Sequence, residues 1–584
     1  MYQEVYYVDK RTGTFADVFL AYGLAALLDS VLGNFVPGPR WVRLRDQGPH
    51  YAVELSHPLT PEWVDQAPFQ MLAPYIRTTR DDPQCLTEVP ASAVVDYQAQ
   101  WDRFRQYVQI PEATRAQMPT EQAAQVRPHP HFPIFAWVGE RRMQAIGSYN
   151  KLILRWHRLA PFFAENLRYI LMLFAKPCGD VKWVQKKWRQ RMLELGADCE
   201  EEATLLQLLN PSQGKGQNKP KANQPKANRL KRDNVCSFWL LEYLKAVGMY
   251  HCAVPRRVKG TQDRKTYAIA PLNVRLADND TVLTAFQDAL WENTAVKMDI
   301  LATLQYTKCF LKHCQTAAEA DLAVELFGQG PENFIAGLHV AYYKDLGNAS
   351  AVMNISFIEL PRWMRVQSVN DMTTYLEVLE EHENIIRSIE EERGGYDLLV
   401  AYRDFLSGGR WDAFFDFMAD YGSLLIRELA QGHYWVKPFT IRNLEELIMK
   451  SNQPVIPILE TPGFRNLAEA IRRSTIVPQY LGRKESQYDI RYGLGQHLKR
   501  KSLYNDEFIQ ALSEFVYSYN AENARIFEKT GRQYRRNILT SDVEEVARLV
   551  DTYGAALVGS LLIAFGYARD PKEQEQKEED SNEH

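Results

Sequence analysis

Between Pro211 and Asn234 the chain reads PSQGKGQNKPKANQPKANRLKRDN, with seven cations (Lys215, Lys219, Lys221, Lys226, Arg229, Lys231, Arg232) against one acid, Asp233. Side chains of this type at this density neutralise phosphates, so the chemistry they suit is polyanion binding. Three further regions interleave cations with aromatic rings. ERRMQAIGSYNKLILRWHR holds Arg141, Arg142, Asn150, Lys151 and Arg155, and KWVQKKWRQRM holds Lys186, Lys187, Arg189 and Arg191 around Trp183 and Trp188. PRRVKG adds Arg256, Arg257 and Lys259, as a sequel to the lysine-rich stretch. The C-terminal third adds Arg472, Arg473, Arg483, Lys484, Lys499, Arg500 and Lys501. Cations contact the backbone of a nucleic acid, whereas an amide such as Asn150 can read a base edge in a groove. A cationic stretch on a helix is also an ordinary solvated face, so each region is a candidate and no more.

The residue types that carry catalysis are not arranged to do so. No Walker loop, no His-Glu-x-x-His, no Gly-x-Ser-x-Gly and no Gly-Gly-Asp-Asp occurs; the Gly-Gly pairs at 394 and 408 run into Tyr396 and Arg410. His129-Pro-His131 and His313-Cys314 lack a second ligand pair at metal-binding spacing, and the seven cysteines form no Cys-x-x-Cys. The sequence therefore predicts no catalytic residues, no metal and no cofactor. A formal net charge of -4 confines any polyanion contact to local patches. The N-terminus MYQEVYYVDKRTG is too polar for a signal peptide, and the apolar run 555–566 is shorter than the roughly 20 residues of a membrane span. The expectation is a cytoplasmic protein with reduced thiols and no membrane contact.

A chain of 584 residues calls for several cores. The elements that must position the candidates read as an α+β, predominantly α-helical fold. EVYYV predicts a strand, FADVFLAYGLAALLDSVLG an amphipathic helix stopped at Gly33, and PFFAENLRYILMLFA and VKWVQKKWRQRMLEL two more helices. These form a mixed α/β domain over 1–210. Residues 211–234 lack the apolar side chains to offset chain entropy and read as a disordered basic linker. A middle mixed part over 235–445 has strands at TYAIAPLNVRL and ASAVMNISFIELP, and a helical run from Thr281 to Cys314. A helical bundle spans 446–571: one helix shows Phe508, Leu512, Phe515 and Tyr519 on one face, and another starts at a capping box Ser541 to Glu544 and continues to Gly566. An acidic disordered tail covers 572–584.

FADVFLAYGLAALLDSVLG, ERRMQAIGSYNKLI, NDEFIQALSEFVYSYNAENARI and DVEEVARLVDTYGAALVGSLLIAFGYARD together resemble the large subunit of Cascade, the type I CRISPR effector complex, in its subtype A and B forms. The resemblance covers the layout: mixed N-terminal domain, variable middle, helical C-terminal bundle. It implies a non-catalytic protein that recognises the protospacer-adjacent motif in duplex DNA, aids strand separation, stabilises the R-loop and docks a helicase-nuclease, while a guide RNA reads the target by pairing. Its partners would be guide RNA, target DNA and the backbone, foot and small subunits. In that family the bundle is similar to the small subunit, which some genes also make from an internal start; here Met449 would open a fragment of 449–584. The resemblance transfers no reading residue; on physical grounds Asn150 and Lys151, among arginines, suit a groove-reading loop, with a helix cap or turn as the other reading of Asn150, and the 472–501 cations would line the displaced strand. Two other readings stay open: an α/β nucleic-acid-processing enzyme without a recognisable motif, and a helical scaffold.

Overall fold

Thr14 starts the first long helix as an N-cap, its hydroxyl accepting from Ala16 N at 3.3 Å, while the Asp17 carboxylate accepts from the backbone of Thr12 and Gly13. The helix runs past Gly33 to Phe35, because Gly33 keeps a right-handed backbone and Val36 N closes onto Leu32 O at 2.9 Å. In this computed structural model the described residues are 1–78, 88–111, 114, 118, 125–197, 199–212, 236–316, 321–391, 394–408, 410–450, 455–481 and 488–570. They form a predominantly helical α+β fold.

Two compact units divide the chain, 1–295 with 332–360, and 296–331 with 361–584. In chain order the first contains β1 (Val5–Asp9), α1 (Phe15–Phe35), β2 (Val42–Asp46), β3 (His50–Leu55), α2 (Pro61–Gln66), β4 (Tyr75–Arg77), β5 (Val94–Asp96), α3 (Tyr97–Gln109), α4 (Phe132–Val138), α5 (Ile146–Arg158), α6 (Phe163–Phe174) and α7 (Val181–Glu194). It continues with β6 (Glu202–Thr204), β7 (Cys236–Phe238), α8 (Trp239–Cys252), β8 (Ala253–Arg257), β9 (Arg264–Pro271), β10 (Asn273–Arg275), α9 (Leu276–Ala289), β11 (Ile335–Asp345) and β12 (Ser350–Glu359). Two antiparallel sheets, ordered β1-β3-β2-β10 and β12-β11-β9-β8, share this unit with the small pairs β4-β5 and β6-β7. TYAIAPLNVRL is therefore two strands in different sheets. The chain changes sheet at Leu272, where Leu272 N and Asn273 N both donate to Phe334 O at 2.9 Å.

The core of this unit is the crossing of α1 with α8. A methyl group on Gly23 would lie 1.8 Å from Leu244 O, and one on Gly248 1.8 Å from Phe19 O, so the two backbones touch. This contact joins residues on both sides of 211–234 into one core. Both flanks of the expected linker thus belong to one unit, and in place of the boundaries expected at 210 and 445 the chain passes between units at 295/296, 331/332 and 360/361, with the strands of the expected middle part belonging to the first unit. The helical run from Thr281 breaks there too, because Asn293 is drawn into a bridge with Val258, its carbonyl accepting from Lys259 N at 3.0 Å.

The second unit is helical: α10 (Ala295–Thr316, whose first residue belongs to the first unit), α11 (Asp321–Leu326), α12 (Val369–Ser388), α13 (Tyr396–Gly408), α14 (Trp411–Ala430), α15 (Ile441–Lys450), α16 (Ile456–Glu460), α17 (Pro462–Thr475), α18 (Val477–Leu481), α19 (Leu494–Lys501), α20 (Asn505–Thr530), α21 (Thr540–Tyr553) and α22 (Ala555–Gly566). Phe508, Leu512, Phe515 and Tyr519 are buried along α20, the face that their spacing predicts. No capping box forms at Ser541: the helix starts earlier, with Leu539 as the N-cap, whose side chain accepts nothing, and the Asp542 carboxylate accepting from Leu539 N at 2.9 Å. The helix expected to run on to Gly566 breaks at Gly554, whose φ of +84° a right-handed helix cannot hold. α14 packs on α19 and α22, with Gly422 against the ring of Tyr567, so the 446–571 bundle is continuous with 411–430. Met449 is exposed near the end of α15. A chain starting there would lack α14 and with it the cover over Tyr567.

Among the described residues one helix, α1, has the length and composition to cross a membrane, and 83% of its apolar window is buried inside the first unit. An all-round apolar helix in that position is a core helix.

Candidate nucleic-acid interface

Helix α7 separates its faces by spacing alone. Asp180 caps it, accepting from Trp183 N at 3.0 Å; Val184, Trp188 and Met192 are buried at intervals of four. The indole of Trp188 donates to Asn166 Oδ1 at 2.8 Å and meets the rings of Phe238 and Trp239 edge-on, at 5.5 and 5.8 Å between centroids. The opposite face turns Lys182, Lys186 and Lys187 to solvent around Trp183, which is 50% exposed. None of these lysines has a carboxylate within ion-pair distance among the described residues. Lys182 and Lys186 are also like charges four apart, a pair that costs the helix a few tenths of a kcal/mol, and Lys182 stands in the first turn, where the helix dipole is positive. An anion at this face reverses that sign.

Next to α7 lies the root of the lysine-rich stretch. β6 and β7 pair antiparallel, Thr204 opposite Cys236, so that the chain leaves after Ser212 and returns at Cys236 on one side of the unit. A buried ion pair ties the two ends. Glu242, fully buried, accepts from Lys245 Nζ at 2.7 Å, Ser237 Oγ at 2.6 Å and Asn210 Nδ2 at 2.8 Å, and Lys245 also donates to Asn210 Oδ1 at 2.7 Å. Lys215, Lys219, Lys221, Arg229, Lys231 and Arg232 lie outside the described residues, as do Arg483 and Lys484.

Several other candidates are structural. Asn150 is 5% exposed inside α5: its amide accepts from Ile76 N at 3.2 Å and donates to Ile76 O at 2.9 Å, completing the pairing of β4. It is a backbone clamp, with no edge left for a base. Arg142 holds the turn after β11, pairing with Asp345 at 3.1 Å and donating to Gly347 O. Arg155 pairs with Glu200 at 2.8 Å above the Trp239 ring. Arg189 donates to Cys199 O, and Arg191 pairs with Glu165 and Glu194. Arg472 is buried against Phe565 O, Arg473 pairs with Glu469 at 2.9 Å, Lys499 with Asp416 and Asp420, and Lys501 with Glu507 at 2.7 Å. Arg141, Lys151, Lys259 and Arg500 are exposed. The α7 lysines, Arg141, Lys151 and Lys259 thus belong to the first unit and Arg500 to the second.

A cleft of about 440 Å³ in the first unit was not visible in the sequence. It opens between α3, the 127–136 segment, β8 and the end of α9, and Arg256 and Arg257 line it. Arg257 and Arg264 both face Glu140, at 3.7 and 2.8 Å. Burial pushes the Glu140 carboxyl up, but the hydrogen bond and charge of Arg264, with Arg257, outweigh it and hold the group below the usual range. Burial lowers Arg256 to about 10 despite Glu292 and Asp288. The signal for this cleft was the aromatic spacing Trp101, Phe104, Tyr107 beside His129-Pro-His131. His129 lines it, whereas His131 sits edge-on to Tyr250 and is lowered to about 3, first by burial and then by His129 and His251. No group of three metal-ligating side chains occurs among the described residues. No protein-family model matches the chain, and no curated protein matches it.

Proposed function

We propose that this chain is a non-catalytic nucleic-acid-binding protein that grips phosphates through the outer face of α7, in the manner expected of a large subunit in an RNA-guided type I CRISPR surveillance complex. The observation that carries the reading is the row Lys182, Lys186 and Lys187 around an exposed Trp183, with Lys182 in the first turn where a cation weakens the helix and all three lacking carboxylate partners among the described residues. Lysines on a solvent face neutralise phosphates, and an exposed indole among them can stack on a base. The strand pair β6–β7, from which the lysine-rich stretch departs and to which it returns, lies next to α7. The resemblance in sequence supplies the rest: guide RNA and target duplex as ligands, the other Cascade subunits and a helicase-nuclease as partners. With Asn150 committed to Ile76, phosphate contact is the part of the reading that the geometry favours over base readout.

The test is co-expression with a guide RNA and the remaining subunits of a type I complex, followed by incubation with labelled duplex DNA and magnesium. The reading expects co-purification and binding without cleavage by this chain. Cleavage by the purified chain alone would return the enzyme reading to the front.

A further inference from the structure

Arg256 is the second polar group that the fold leaves in need of a ligand. Its Nε donates to Leu290 O at 2.6 Å and its Nη groups to the carbonyls of Pro255 and Gln287, which uses three of five N–H donors and neutralises none of the charge. No carboxylate of the described residues lies within ion-pair distance of it. Gln287 alongside is 5% exposed, and its Oε1 is buried without a hydrogen-bond partner. A guanidinium taken out of water with Glu292 and Asp288 acting on it only from beyond ion-pair distance costs free energy that an anion in direct contact returns.

The rest of the cleft is aromatic. Trp101 and Trp291 line it, Trp291 with 38% of its surface exposed, and Arg127 stands with Asp288 as an ion pair on the same wall. At about 440 Å³ it lies in the range of roughly 300–1,000 Å³ typical of small-molecule sites. A ligand for it has a flat apolar ring with polar edges and an anionic group. We infer that the cleft captures one unpaired nucleotide, the base against the indoles of Trp101 and Trp291 and its phosphate on the guanidiniums of Arg256 and Arg127. This rests on the nucleic-acid reading and deepens it: the α7 face holds the strand by charge, whereas the cleft holds a single base by stacking. A proline-rich peptide would use the same aromatic wall but leaves Arg256 without an anion.

The experiment uses the full chain and a single-stranded oligonucleotide carrying 2-aminopurine at one position, with anisotropy reporting binding and 2-aminopurine fluorescence reporting stacking. The expected result is quenching on binding, loss of that quenching in Trp291→Ala, and weakening of binding by about 5- to 150-fold, the equivalent of one lost base–aromatic stack. Because Trp291 is exposed, the variant is checked for an unchanged unfolding midpoint. Arg127→Gln, a second surface change, is expected to weaken binding while retaining quenching at saturating protein. Binding without quenching, or quenching that survives Trp291→Ala, overturns the cleft and leaves the α7 reading standing. Displacement of the quenched probe by a proline-rich peptide, but not by adenosine monophosphate, overturns it in favour of a peptide groove. If the oligonucleotide does not bind at all, both readings fall.

Discussion

Glu242 and Lys245 give the sharpest test of how the lysine-rich stretch is rooted. Replacing Lys245 by methionine keeps the length of the side chain and removes its charge. The Glu242 carboxylate, fully buried, then retains the neutral donors Ser237 Oγ and Asn210 Nδ2 and loses its counter-ion. Breaking a buried pair in this way costs about 3–5 kcal/mol. In the double variant Glu242→Gln/Lys245→Met no charge is buried, the glutamine oxygen still accepts from Ser237, and its amide can donate to the freed Asn210 Oδ1. We expect the double variant to recover most of the loss, with a coupling of about 2–3 kcal/mol. Urea unfolding followed by tryptophan fluorescence measures the four free energies of the cycle, those of the unaltered chain, Glu242→Gln, Lys245→Met and the double variant, and hydrogen exchange at Leu206–Asn210 and Ser237–Trp239 shows whether the root opens locally. Equal destabilisation in the single and double variants would refute the assignment of a charge pair as the clamp.

Two further outcomes follow from single side chains. Asn150→Ala leaves Ile76 N and O without their partner and is expected to cost about 1–3 kcal/mol in unfolding free energy, with no change in which DNA sequences bind; altered selectivity in a flanking-base competition assay would contradict the clamp role. His382 lies in a cage of Trp363, Tyr402, Phe414 and Phe439, and burial lowers it to about 3. Below about pH 6.5 the unfolded chain takes up a proton that the folded histidine refuses, so its contribution is present above that pH and is lost as pH falls toward 3, at about 1.4 kcal/mol per pH unit. His382→Leu should flatten the stability profile by that slope between pH 6 and 4, and an unchanged profile would show that the buried imidazole is not the titrating group.

The parts of the fold legible in the sequence are those fixed by local spacing. The split of α7 into Val184, Trp188 and Met192 inside and three lysines outside follows from a period of 3.6, and so does the buried face of α20. What stayed hidden depends on distant partners. Asn150 looked like a reader because its neighbours are cationic; its role is decided by Ile76, 74 residues earlier. The span 211–234 looked like a boundary because its composition cannot form a core, yet the Gly23–Gly248 crossing makes both flanks one unit, and no local pattern announces which glycines will touch. Most cations in the other basic regions were spent on carboxylates or carbonyls that lie one turn, or a hundred residues, away. The cleft needed four separate segments to converge, and only the aromatic spacing of α3 hinted at it.

The central claim is that the outer face of α7 binds phosphates. It is tested most directly by titrating the chain and its Lys182→Ala/Lys186→Ala/Lys187→Ala variant with labelled duplex DNA from 50 to 200 mM salt. Each phosphate contact contributes a slope of about 0.9 in log affinity against log salt, so three lysines carry about 2.7. The account predicts that the variant loses that much of the slope, which is about a 40-fold difference in salt sensitivity across the range. An unchanged slope, at unchanged affinity, would contradict it.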